Sequence, residues 1–106
     1  MDLVKRIAEN IGVREDKFYK TSLFNSDRLL LGLNCLEPGQ VQQPHVHGDQ
    51  DKFYYVVEGS GHFWLGQERL FVEVGQIVWA PAGLSHGVEN NGDGRLSLLV
   101  GIAPAP

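Results

Sequence analysis

From Lys17 onward the chain is written as short β-branched and aromatic runs separated by turn residues, and this punctuation restricts its fold more than any other feature. The runs are residues 18–24, 28–36, 53–57, 62–65, 70–74, 76–79, 86–88 and 96–102, the composition of half-buried strands. Between them stand Glu37-Pro38-Gly39, Glu58-Gly59-Ser60-Gly61, Pro81-Ala82-Gly83 and Asn90-Asn91-Gly92-Asp93-Gly94, where glycine and proline supply the dihedrals of tight turns. Strands so evenly spaced predict a closed or sandwiched antiparallel sheet, hence an all-β fold. Before them, Leu3, Val4, Ile7, Ala8 and Ile11 recur at helical spacing ahead of Gly12, which predicts one short amphipathic helix within residues 1–14. With 106 residues the chain suffices for one domain, 1–106, and no linker or repeat divides it.

Charge and cysteine content narrow the partners. A net charge of −4 without any Lys/Arg cluster lacks the electrostatic footprint that nucleic acid or an anionic membrane requires, so a small-molecule partner is expected. No apolar run approaches the roughly 20 residues that span a bilayer. Cys35 stands alone, so no internal disulfide forms, and the first eleven residues do not resemble a signal peptide. A cytoplasmic location is the expectation.

Chemistry concentrates in the histidines. In Pro44-His45-Val46-His47 two imidazoles lie two residues apart. On an extended strand such residues leave the same face about 6.5 to 7 Å apart, within reach of one ion. A transition metal takes neutral imidazole nitrogens at about 2.0 to 2.2 Å and needs further ligands to close its shell. His86 is the leading third ligand, since the turn Pro81-Ala82-Gly83 starts a new strand that a curled sheet can bring opposite the pair.

These residues sit in two motifs that resemble those of the cupin superfamily. Gly39, five residues, then His45-Val46-His47, running on to the Tyr-Tyr-Val-Val-Glu-Gly turn at Gly59, is similar to the first cupin motif, within residues 39–61. Gly75, Pro81, Gly83, His86 and Asn90 match every fixed position of the second, residues 75–90. The resemblance implies a double-stranded antiparallel β-barrel, or jelly roll, with one divalent transition metal inside it. Iron, manganese, nickel, zinc and copper all suit such a site. It carries the ligand role onto His45, His47 and His86, and it implies a homodimer, for which residues 18–24 and 28–36 offer an apolar edge.

The departure from the family's pattern is at its glutamate. Asp51 follows His47 after three intervening residues and Lys52 after four, and the usual gap back from Gly59 falls on Lys52, which cannot coordinate a cation while protonated. If the segment bulges, Asp51 or Gln50 supplies a weaker oxygen; otherwise the site is three histidines and water. Pointing inward, Lys52 would be desolvated and become a base or a substrate hook. The plainer expectation turns it outward, paired with Asp49 or Asp51 on the rim.

Other residues carry less. Tyr54 shares strand parity with Lys52 and is expected to line the cavity, while Tyr55 faces away. His62, outside both motifs, is expected at the surface or toward a substrate. Trp64, Trp79 and Cys35 are expected to pack. Two functions remain open: metal-dependent chemistry on a small organic substrate, a dioxygenase or an isomerase with Lys52 or Tyr54 orienting it or moving a proton, and a non-catalytic module binding a metabolite such as a sugar.

Overall fold

A computed structural model of the chain describes residues 2–106. Its strands, in chain order, are β1 (Tyr19–Asn25), β2 (Leu30–Leu36), β3 (Val41–His45), β4 (Asp51–Glu58), β5 (Ser60–Leu65), β6 (Glu68–Glu73), β7 (Ile77–Ala80), β8 (His86–Glu89) and β9 (Leu96–Ala103). One sheet runs β1-β2-β9-β4-β7 and the other β3-β8-β5-β6, and every pairing is antiparallel. This is the expected jelly roll. Eight strands fall on the eight predicted runs, and the ninth, β3, carries His45 in a sequence of two glutamines and a proline that no strand propensity marks.

Inward alternation builds the core. In β4, Lys52, Tyr54 and Val56 are buried while Asp51 and Tyr55 are exposed, so the strand presents one face to the barrel interior. Tyr54, Val56, Phe63, Val88, Leu36, Leu96 and Leu98 close that interior from both sheets. Each large apolar side chain removed from water there contributes roughly 1.5–3 kcal/mol. The motif glycines Gly39, Gly59, Gly75 and Gly83 all have positive φ, between 81° and 90°, as turn positions require. Gly59 is further constrained, because a Cβ there would collide with the backbone oxygen of Arg95. Asn90 is fully buried and ties the following loop together: its Nδ2 donates to the carbonyls of Leu36 and Gly94, and its Oδ1 accepts from the Gly92 N–H.

The N-terminal helix is a single 3-10 turn, Ile7–Glu9, without a side-chain cap. An isolated helix this short gains too little from its few hydrogen bonds, and tertiary packing decides its shape instead. Ile7 and Ile11 do pack, against Leu23, Leu33 and Cys35 on the outer face of the five-stranded sheet, whereas Leu3 and Val4 stay exposed. That cover has a second consequence. β2 is an interior strand whose apolar residues are already sheathed, so residues 28–36 present no open edge. Trp79 departs from expectation too, at 58% exposure: it lies on edge strand β7 with its ring outside the barrel.

Candidate metal centre

His45 closes β3 and His86 opens β8, and the two strands pair so that these residues stand directly opposite each other. Their approach depends on Gly87, where a Cβ would come within 2.7 Å of the Gln42 carbonyl and the Pro44 nitrogen. The pairing is irregular between Gln42 and His45, and β3 ends there, so His47 lies one step beyond the strand. Even so the rings converge, with centroids 4.7 Å apart for His45–His47, 4.3 Å for His45–His86 and 5.7 Å for His47–His86. One nitrogen from each lies within 4.8 Å of the others, as the sequence expectation requires.

Main-chain oxygens orient two of the rings. His45 Nδ1 is 3.0 Å from the Gln43 carbonyl and His86 Nδ1 is 3.0 Å from that of Leu84. A carbonyl oxygen only accepts, so each Nδ1 carries the proton and each Nε2 keeps a free lone pair. His86 Nε2 is buried and, among the described residues, has no hydrogen-bond partner. An unpaired buried acceptor is costly, and a cation satisfies it, so the donor set fits a metal ion. Burial, reinforced by the charge of His45, pushes the pKa values of His47 and His86 down, although the Leu84 carbonyl opposes this at His86. Both effects favour the neutral imidazole that coordinates.

Asp51 does not join this group. Neighbouring residues in a strand face opposite ways, and here Lys52 takes the inner position. The Asp51 carboxylate instead accepts from the Ala82 N–H at 2.9 Å, while the Gly83 N–H donates to the His47 carbonyl at 2.8 Å. Together these bonds hold the turn that delivers His86 against the loop carrying His47. Gln50 is engaged elsewhere, its Nε2 donating to the Pro104 carbonyl.

Lys52 corrects the outward expectation. It is 5% exposed, its ammonium lies 4.9 Å from the centroid of the Tyr54 ring, and neither Asp49 nor Asp51 pairs with it. Desolvation, with the nearby charge of Lys20, lowers its pKa from 10.5 to about 8. Tyr54 is fully buried, donates its hydroxyl to Gln42 Oε1 at 3.2 Å, and packs on Phe63 and toward His86. Burial drives its phenol pKa well upward, so the hydroxyl stays protonated. His62 lies outside the cluster and bonds Asn91.

With this geometry in hand, likeness to known proteins becomes informative. A family model described as the cupin domain matches residues 32–102. The chain belongs to the cupin family. Among solved structures, TT1209 from Thermus thermophilus superposes with a TM-score of 0.93 at 38% identity, covering 97% of this chain and 98% of that one. A conserved Klebsiella pneumoniae protein with a double-stranded beta-helix domain reaches the same score at 19% identity over 98% of this chain and 91% of its own, a likeness of fold. The oxalate-binding protein of Thermotoga maritima is 29% identical over 83 residues, 78% of this chain and 68% of its own.

This cupin also has a cavity of about 260 Å³ whose walls include Lys52, Lys20, Asn34, Gln42, Val100 and Ile102 and none of the three histidines. Sequence reasoning singled out only Lys52 among these. One signal was available for Asn34, a lone polar residue in the apolar run Leu-Leu-Gly-Leu-Asn-Cys-Leu, which the structure buries. Nothing local marks Lys20 or Gln42, because strand register alone brings them there.

Proposed function

We propose that this cupin holds one divalent transition metal on His45, His47 and His86 and acts on a small organic molecule through dioxygenase-like chemistry. The observation that carries the reading is the convergence of three imidazole nitrogens within 4.8 Å, with the buried His86 Nε2 otherwise unpartnered. An ion bound there supplies Lewis acidity and open coordination positions. The chain's own residues do the rest. Lys52, with a pKa near 8, remains mostly protonated at neutral pH and orients a substrate rather than abstracting its proton. Tyr54 keeps its proton and fixes the Gln42 side chain at the cavity wall.

Elemental analysis of the purified protein tests the metal. About one iron, manganese, nickel, zinc or copper per chain is expected, lost in His86→Ala while circular dichroism stays unchanged. Wild-type protein that takes up none of these ions removes the reading. Oxygen uptake by the loaded protein with enolic or catecholic substrates then tests the chemistry.

A second reading, a binding module without turnover, is favoured by the carboxylate-free ligand set and by the relative named an oxalate-binding protein. It predicts tight ligand binding with no product. Turnover abolished by His45→Ala decides against it. A cytoplasmic setting suits both readings, since the one cysteine is buried and unpaired. So does a homodimer, for which the exposed apolar side chains at the seam of β6 and β7 are better candidates than β1 and β2.

A further inference from the structure

The Lys52 side chain is buried as a whole, yet its ammonium keeps some access to solvent and, among the described residues, has no counter-charge. Among the described residues no hydrogen bond or ion pair reaches its ammonium, which stands over the face of the Tyr54 ring. An ammonium held largely out of water without a partner is costly, and an anion in the cavity would offset that cost. The cavity it faces deepens the imbalance. Lys20 is a second cation at its wall, no aspartate or glutamate among the described residues lines it, and yet the chain as a whole carries a net charge of −4. Asn34, itself buried, and Gln42 add amide groups, while Leu30, Val100 and Ile102 form an apolar wall.

We propose that this cavity binds a short-chain carboxylate, with the anionic head on the Lys52 ammonium and the carbon chain against Leu30, Val100 and Ile102. The proposal rests on the function given above and names the class of molecule that this cavity would present to the metal centre. Tyr54 joins the two parts, lying 4.9 Å from the Lys52 ammonium and 6.1 Å, ring to ring, from His86. Two features favour a carboxylate over a phosphate, and a third limits its size. No arginine lines the cavity to grip a phosphate bidentately, part of the wall is apolar and matches carbon, and 260 Å³ falls below the range of about 300–1,000 Å³ occupied by larger organic ligands. The head group needs no covalent step, only charge pairing with an ammonium whose side chain lies mostly out of water, where such a pair is stronger than between exposed groups.

Titration calorimetry tests this with malonate, its neutral analogue malonamide, and inorganic phosphate, each on metal-loaded and on chelator-stripped protein. Malonate should bind both forms, malonamide should not, and phosphate should bind at least tenfold more weakly. Lys52→Met should weaken malonate binding at least tenfold while its metal content, read by elemental analysis, equals that of the wild type. Lys20→Glu, a change at an exposed position that leaves the core untouched, should weaken it as well by setting a carboxylate beside Lys52. Wild-type affinity in Lys52→Met, equal binding of malonamide, or equal binding of phosphate overturns the proposal. So does a loss of metal in Lys52→Met, which would make the lysine part of the ion's surroundings rather than of the ligand's. Protein that takes up no metal but binds malonate through Lys52 retires the metal reading and leaves this one standing.

Discussion

At the scale of single residues, the energetics of Lys52 make it a liability for stability. Its pKa is about 8 in the folded chain against 10.5 for an exposed lysine. Between those values the unfolded chain holds more protons than the folded one, so stability rises as pH rises from about 8. Tyr54 acts with the opposite sign. Its pKa is raised on folding, so its contribution is complete below its ordinary value of 10 and is lost as pH climbs past that. Urea denaturation of metal-free protein should therefore show stability increasing from pH 8 and turning over near pH 10. In Lys52→Met the rising limb should vanish, and at pH 7 the variant should be more stable than the wild type by on the order of 2 to 3 kcal/mol. A wild-type curve that is flat between pH 8 and 10 contradicts the burial of a charged lysine.

Elements bring the histidines together, and two residues without chemistry of their own control how. Gly87 lets β8 lie against the kinked end of β3, and Gly87→Ala should cost about 1–3 kcal/mol by overpacking. The same change should weaken metal uptake, because it pushes His45 away from His86; uptake equal to the wild type would show that the strands have room to yield. Asn90→Ala leaves the carbonyls of Leu36 and Gly94 and the Gly92 N–H without their side-chain partner and should lower stability by about 1–3 kcal/mol in thermal melts, with the metal retained. Much of this level was legible in the sequence. The turn glycines, eight of the strands and the three histidines follow from residue type and spacing. What escaped was set by tertiary context: β3, whose glutamines and proline carry no strand propensity, the direction of Lys52, where burial overrides the preference of a charge for water, and the N-terminal segment, whose apolar spacing serves packing onto a sheet rather than helix formation.

For the whole molecule, the open question is what covers the seam between β6 and β7, the two sheet edges at that side of the barrel. Tyr55, Leu70, Phe71, Val74, Ile77 and Trp79 are 39–65% exposed there. Of these, Leu70, Phe71, Ile77 and Trp79 line one groove between the two edges, more apolar exposure in one place than scattered surface residues present. Sedimentation at micromolar concentration should give a dimer, and Ile77→Glu combined with Trp79→Glu should give a folded monomer. A wild-type monomer, or a double variant that still dimerises, rules out this face. At this scale too the sheet pattern was readable and the exposed seam was not, since a strand's alternation does not say which of its faces a second molecule covers. A different consequence follows from the bonds that hold His45 and His86. Their acceptors are peptide oxygens two positions upstream, so no change of side chain at Gln43 or Leu84 removes them, and the seat for an ion is insulated from point mutation. The cavity wall is made of side chains at 20, 34, 42 and 52, each replaceable on its own. Such a barrel can change the lining of its cavity while the tautomers of its imidazoles stay as they are.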